Sequence, residues 1–211
     1  MQTKLKFRTL IELFNESVGR IKRADKEYLE IIRKDREEKL TFEALKTRAE
    51  EFALWLIQAR CVRIKDRIAI LGKSRADWDV ALWGIVLAGA VPVLIDPARG
   101  VEGVKNHLLN TDSRLIVMAD DYQDAHSRQR LKDFTSSRDM GLIEMTVYEK
   151  ISSDNTETSK LLSRIGAKVK AADTAVILCT SGTTAEPREV ELTGANLIAN
   201  VQGVLEMVKV T

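Results

Sequence analysis

The sequence has few of the residues that build disulfide frameworks or metal centres. Cysteine occurs only as Cys61 and Cys179, and histidine only as His107 and His126. Neither pair has the spacing of metal ligands, and two cysteines provide no disulfide framework. We therefore expect no metal site, and we predict that both histidines lie on the surface or are partly buried. Cys179 ends an apolar run, which favours a buried strand residue over the alternative of a reactive thiol.

Charge of one sign and long apolar runs are also missing. The 33 basic and 31 acidic residues leave a net charge of +2, and without a long basic run nucleic acid is not an expected partner. The most apolar window, residues 80–95, is interrupted by Gly84, Gly89 and Pro92 and is shorter than the roughly 20 residues that cross a bilayer. No apolar stretch typical of a signal peptide follows the basic N-terminus. We expect a cytoplasmic protein with no membrane span.

Several sequence signatures of nucleotide-binding and repeat proteins do not occur. There is no G-x-G-x-x-G and no G-x-x-x-x-G-K-[ST], so a dinucleotide-binding fold and a P-loop NTPase are not supported. No internal repeat of about 20–50 residues is visible either. Some 45% of the residues are hydrophobic and 30% are charged, which is enough apolar material for a sizeable core.

Short apolar runs alternate with helical patterns along the chain. Predicted strands cover residues 28–32, 67–71, 91–95, 115–118, 142–147 and 175–178. Two predicted helices begin near Thr9 and Thr41. Four more cover residues 75–88, 101–110, 122–134 and 161–165, and Thr193 caps a last one. Residues 34–39 are predicted to form a charged turn and residues 152–160 an exposed loop. The alternation indicates an α/β fold with a largely parallel sheet and helices on both faces.

A loop rich in hydroxyl groups follows the last predicted strand. Parallel sheets bind ligands at the carboxyl ends of their strands, where this loop is expected to lie. Hydroxyls, a glycine backbone and an arginine can all donate to phosphate oxygens. An ordinary Ser/Thr turn is the alternative reading of the same residues. The candidate phosphate-binding residues are Thr180, Ser181, Gly182, Thr183, Thr184 and Arg188.

The same loop resembles the phosphate-loop signature of adenylate-forming enzymes. That superfamily includes acyl-CoA synthetases, luciferases and peptide-synthetase adenylation domains. Further collinear segments resemble the family from about Thr9 to the last residue. They are Leu40-Thr41-Phe42 with Leu45, Asp66 to Ile70, Ser74, Trp78, Gly84, Ala88 to Val91, Asp96-Pro97, and Leu192-Thr193 with Asn196. The resemblance implies that the candidate loop residues hold the β- and γ-phosphates of ATP.

The resemblance also implies a two-step reaction. A carboxylic acid, expected to be a fatty or aryl acid, would attack the α-phosphate of ATP bound with Mg²⁺ to give an acyl-adenylate and pyrophosphate. A thiol, expected to be coenzyme A, would then displace AMP. The family's later elements have no counterpart in the 211 residues. We therefore expect residues 1–211 to be the N-terminal part of an adenylation domain, without its C-terminal remainder and small C-terminal domain, and to be inactive alone.

The loop departs from the family pattern at three positions. Ala185 and Glu189 stand where the family usually has glycine, and Arg188 stands where it usually has lysine. Glu186 and Glu189 place two carboxylates beside the loop, and we expect them to repel an anion. The alternative function is therefore a stand-alone, non-catalytic interaction module that keeps the fold.

Two further expectations concern other surfaces. Asp120 and Asp121 could hold a cation, but a solvated strand end is the preferred reading. Apolar area that a longer protein would bury is expected to be exposed, so we expect self-association as a homodimer.

Overall fold

A six-stranded sheet forms the centre of the protein. The computed structural model describes residues 7–19, 25–32, 37–146, 155–180 and 188–207. The strands in chain order are β1 (Glu27–Ile32), β2 (Glu37–Thr41), β3 (Arg67–Leu71), β4 (Val91–Ile95), β5 (Leu115–Met118), β6 (Gly141–Glu144), β7 (Thr174–Thr180) and β8 (Arg188–Thr193). The large sheet has the order β6-β5-β3-β4-β7-β8, and β1 and β2 form a separate antiparallel pair. Among the described strands of the large sheet, β8 alone runs antiparallel to its neighbour.

Helices cover both faces of this sheet. They are α1 (Leu10–Gly19), α2 (Phe42–Ala59), α3 (Ala76–Leu87), α4 (Val101–Asn110), α5 (Ala125–Ser136), α6 (Asn155–Gly166) and α7 (Gly194–Met207). Ile68 and Ile70 of β3 pack in one buried cluster with residues of α1, α2, α3 and α6. Ala69 and Leu71, which point to the other face, pack in a second cluster with residues of α4 and α5. The predicted α/β class, with a largely parallel sheet between helical layers, is confirmed.

Several helix starts follow from local side-chain chemistry. The backbone N–H of Glu12 donates to Oγ1 of Thr9 over 3.2 Å, and the carboxylate of Glu12 accepts from the backbone N–H of Arg8. Thr9 therefore caps α1 as the sequence predicted, but the carboxylate of Glu12 accepts from the residue before the cap and not from Thr9 itself, so only half of a capping box forms. Thr41 accepts from the backbone N–H of Ala44 over 3.1 Å, and Thr193 accepts from that of Asn196 over 3.2 Å. The three predicted helix starts are therefore confirmed.

Two segments that were predicted to be a turn and a loop form regular structure. Residues 37–39 belong to β2 and do not form a turn, because Lys39 lies opposite Glu30 in the ladder and within 3.5 Å of three glutamates. Opposite charges across a strand pair stabilise it. Residues 155–160 belong to α6 and do not form a loop. The apolar residues after Lys160 anchor this helix, since Leu162 is buried in the core.

Among the described residues, no helix combines the length and the apolar character needed to cross a membrane. The apolar helix α3 is instead buried against α2, as its sequence predicted.

Candidate functional site

The site lies on the hairpin formed by β7 and β8. Thr180 ends β7 and pairs directly with Arg188, the first residue of β8. The Oγ1 hydroxyl of Thr180 donates to the carbonyl of Arg188 over 3.1 Å, and both side chains are exposed. Two of the six predicted site residues are thus brought together. Ser181, Gly182, Thr183 and Thr184 lie outside the described residues.

The hairpin is at the edge of the sheet where its parallel strands end. β4 and β7 are parallel neighbours, with Leu94 opposite Leu178, so the ends of both strands face the same direction. Asp96 and the turn after it follow β4 directly. This is the edge at which open α/β sheets bind ligands. A group bound between Thr180 and Arg188 would therefore meet the end of β7 and the segment that follows β4.

Arg99 connects that segment to the hairpin. Its Nη2 donates to the carbonyl of Thr180 over 3.1 Å. The carbonyl of Arg99 in turn accepts from the hydroxyl of Tyr122 over 2.9 Å and from Nε2 of Gln123 over 2.6 Å. Burial, followed by the nearby charge of Asp124, raises the pKa of Tyr122 to about 12. Tyr122 therefore stays protonated and continues to donate at neutral pH.

Glu189 points to α4, on one face of the hairpin. Its Oε1 lies 2.8 Å from Nδ1 of His107 and accepts from Nδ2 of Asn110 over 3.0 Å. The His107 side chain is fully buried, so the prediction of a surface or partly buried histidine is wrong for this residue. The sequence offered no local signal for this contact, because Glu189 is 82 residues away from His107. A signal for β8 itself did exist, since Val190 and Leu192 alternate with charged residues.

Cys179 lies opposite Glu189 in the hairpin and is partly buried. Burial raises the pKa of its thiol to about 12, and the carboxylate of Glu189 acts in the same direction against the weaker, opposite effect of Arg99. A thiol with this pKa is almost entirely protonated at neutral pH and is a poor nucleophile. The geometry supports a strand residue that packs against the core rather than a reactive group.

Asp120 is paired with an arginine. Nη1 of Arg75 donates to its Oδ1 over 2.6 Å, and Nη2 of Arg75 donates to Asp77 over 2.9 Å. The guanidinium lowers the pKa of Asp120, against a smaller opposing effect of burial. Within the described ranges, no three His, Cys, Asp or Glu side chains come together as metal ligands would. The solvated strand end with a cationic partner therefore describes this feature better than a cation site.

Known proteins share this architecture. The fold, with its parallel sheet and antiparallel edge hairpin, is that of adenylate-forming enzyme domains. Residues 20–210 match the family model described as AMP-binding enzyme. The chain belongs to the AMP-binding enzyme family.

The similar sequences include acyl-CoA ligases. The long-chain-fatty-acid–CoA ligase of Salmonella typhimurium is 24% identical over 240 residues, which cover 98% of this chain and 39% of the ligase. The same enzyme of Escherichia coli O157:H7 is 26% identical over 140 residues, covering 66% of this chain and 24% of the ligase. The chain therefore spans well under half of the length of these relatives.

The similar solved structures agree in fold. The fatty acyl-adenylate ligase from L. pneumophila, solved with acyl adenylate and pyrophosphate, has a TM-score of 0.70 at 21% identity, covering 95% of this chain and 33% of that protein. The N-terminal subdomain of NpsA from Klebsiella oxytoca has a TM-score of 0.65 at 18% identity, covering 90% and 43%. At these identities the likeness establishes the fold alone.

Proposed function

We propose that this chain is the N-terminal part of the adenylation domain of an ATP-dependent carboxylic acid–CoA ligase acting on a fatty or aryl acid. The observation that carries the proposal is the β7–β8 hairpin, which presents Thr180 and Arg188 together at the carboxyl edge of a sheet of this family. The family membership supports ATP as the nucleotide, and the similarity to acyl-CoA ligases supports a carboxylic acid and coenzyme A as the other substrates. We place the protein in the cytoplasm on the same basis.

The proposed reaction has two steps. A carboxylate oxygen attacks the α-phosphorus of ATP, and the bond to the β-phosphate breaks, releasing pyrophosphate. The thiol of coenzyme A then attacks the acyl carbon and releases AMP. The loop binds the β- and γ-phosphates, because pyrophosphate gains negative charge as it leaves and fixed donors stabilise it. The residues with this role are Thr180, Ser181, Gly182, Thr183, Thr184 and Arg188.

Mg²⁺ would accompany the phosphates of ATP. Among the described residues no carboxylate cluster fits this ion, since Asp120 is bound by Arg75. We therefore assign Mg²⁺ to none of the described residues.

The first test measures binding of pyrophosphate to the loop. We expect titration calorimetry to give a dissociation constant in the millimolar range, or about −4 kcal/mol. Arg188→Ala should weaken binding at least about threefold, because it removes a charge-assisted donor. Lys132→Ala, which removes a positive charge from an exposed position of α5, is the control and should bind like the wild type. Equal binding by both variants would contradict the assignment of Arg188.

A second test concerns turnover. The 211 residues alone should release no pyrophosphate from Mg-ATP with a panel of carboxylic acids, because the later elements of the family, which the resemblance implies are needed for turnover, have no counterpart in them. Turnover above that of Thr183→Ala would show that the chain is itself a complete catalyst.

The second candidate function is a non-catalytic module that keeps the adenylation fold. The departures at Ala185, Glu186 and Glu189 favour it. The reading frame of the gene distinguishes the two functions. Several hundred further codons after Thr211 would support the ligase, whereas a stop codon there would support the module.

A further inference from the structure

We propose that Glu189 is a positioning residue for the phosphate-binding loop and does not act by repelling the anion. The proposal rests on the proposed function of that loop. Glu189 forms an anchor together with His107, Asn110 and Arg99. This anchor fixes both arms of the loop, which are the end of β7 at Thr180 and the start of β8 at Arg188, to the segment between β4 and β5. We refer to these four residues as the loop anchor.

The C-terminal arm is held through the carboxylate of Glu189. Nδ1 of His107 and Nδ2 of Asn110 both lie within 3.0 Å of the same oxygen, Oε1. The side chain of Glu189 is only 19% exposed and that of His107 is not exposed at all. Hydrogen bonds to a carboxylate are strong when water is excluded. Because Glu189 directly follows Arg188, fixing its side chain also restricts where Arg188 can lie.

The N-terminal arm is held through the backbone of Thr180. Arg99 donates to the Thr180 carbonyl over 3.1 Å, and the carbonyl of Arg99 is itself bound by Tyr122 and Gln123. Arg99 lies just before α4, and His107 and Asn110 lie in its last turns. Both arms are therefore tied to one helix and the turn that precedes it.

The buried ring of His107 provides a further argument. The oxygen that faces Nδ1 also accepts from Nδ2 of Asn110, so the geometry fits the tautomer in which Nδ1 carries a proton and donates it to Glu189. The other ring nitrogen, Nε2, is buried and has no hydrogen-bond partner among the described residues. An unpaired buried nitrogen is unfavourable, and an apolar residue would avoid it. The histidine is thus better explained by what it does for Glu189 than by packing.

A matched control lies two residues further along the same strand. Glu191 has its carboxylate bound by Nη2 of Arg67 over 2.8 Å and by the hydroxyl of Thr174 over 2.7 Å. It lies opposite Ile177, whereas Glu189 lies opposite Cys179, next to the end of β7. A change at Glu191 therefore removes the same charge and a similar number of contacts from the same strand, but further from the loop.

Positioning and repulsion predict opposite changes in affinity. If Glu189 repelled the anion, Glu189→Ala and Glu189→Gln would both bind pyrophosphate more tightly, most clearly at low salt. If Glu189 positions the arm, Glu189→Ala binds at least fivefold more weakly. Glu189→Gln then stays within about twofold of the wild type, since an amide oxygen can still accept from His107 and Asn110.

The experiment combines calorimetric titration of pyrophosphate with amide hydrogen exchange of residues 188–190 and urea unfolding. We expect Glu189→Ala to weaken binding and to accelerate exchange about tenfold in this segment, and we expect Glu191→Ala to leave the pyrophosphate affinity within twofold. Asn110→Ala removes one exposed contact to Glu189 at the end of α4 and should give an intermediate loss of affinity. This variant tests the proposal even if Glu189→Ala does not fold. Tighter or unchanged binding by both Glu189→Ala and Asn110→Ala would overturn the proposal.

The exchange measurement separates this proposal from the proposed function. If the wild-type protein bound no pyrophosphate, the assigned function of the loop would fail. The anchor would still be supported if exchange at residues 188–190 accelerated in Glu189→Ala but not in Glu191→Ala. Unchanged exchange in both variants would overturn the anchor even if pyrophosphate bound.

Discussion

The two cysteines are expected to differ sharply in reactivity. Cys61 is exposed and has a φ of 52°, two residues after the end of α2. Cys179 is partly buried next to Glu189, and its pKa is raised to about 12. At pH 8 a thiol with this pKa is only about one ten-thousandth ionised. The contrast arises from burial, because both side chains are chemically the same.

Alkylation tests this contrast directly. With iodoacetamide at pH 8, Cys179 should react at least about 100-fold more slowly than an exposed thiol, because only the thiolate attacks. Peptide mass spectrometry over a time course gives the rate at Cys61 and at Cys179. Cys61→Ser serves as the control and should leave only the slow reaction. Comparable rates at the two positions would show that Cys179 is more accessible than the structure places it.

The helices α2 and α3 approach each other through a glycine. A Cβ atom added to Gly84 would lie 2.6 Å from Cδ1 of Phe52 and 3.1 Å from the carbonyl of Ala49. Both positions belong to α2, and Phe52 and Ala49 are completely buried. Real Cβ atoms do not approach this closely, so a larger residue would separate the helices. In contrast, a Cβ atom on Gly203 of α7 meets nothing within 4 Å.

Paired alanine substitutions test this packing. Gly84→Ala should lower the free energy of unfolding by about 1–3 kcal/mol, because overpacking costs more than the helix propensity gained. Gly203→Ala should raise it by about 0.5–1 kcal/mol, because alanine is the better helix former and no contact opposes it. Urea unfolding of both variants gives the two differences. Changes of the same sign would contradict this account of the α2–α3 contact.

Elements with local signals could be predicted from the sequence, and long-range contacts could not. Thr9, Thr41 and Thr193 each begin a helix because their own hydroxyls cap it. Residues 37–39 of β2 were predicted as part of a turn, since their charges are favourable only beside the glutamates of β1. The contact of Glu189 with His107 joins residues that are far apart in the chain. In the sequence, Glu189 suggested repulsion of an anion, whereas in the structure its carboxylate is already bound.

Apolar side chains remain exposed on the hairpin and on the last helix. Leu178 is 36% exposed and Val190 41% exposed, and on α7 Val204 and Leu205 are 47% and 45% exposed. Proteins seldom leave contiguous apolar area uncovered. We propose that these residues cause the chain to self-associate as a homodimer.

Light scattering coupled to size-exclusion chromatography tests the proposed dimer. We expect the mass to rise from one chain towards two as the concentration increases. The double variant Val204→Glu with Leu205→Glu should shift the protein to the monomer, because it places charge on the apolar face of α7. Leu109→Glu changes a similarly exposed leucine on α4 and should leave the association unchanged. A wild-type monomer at high concentration would refute the dimer.

Thr180 and Arg188 pair as the last residue of β7 and the first residue of β8, so the ladder of the sheet lies outside the segment between them. These two residues face each other across the ladder, so the seven intervening residues begin and end one strand spacing apart, about 4.8 Å. The ladder bonds of β7 and β8 do not depend on which side chains stand at 181–187, and even a doubled length would cost only about 0.6 kcal/mol in closure entropy. The proposed anion affinity of the loop can therefore change while the ladder between Thr180 and Arg188 stays the same.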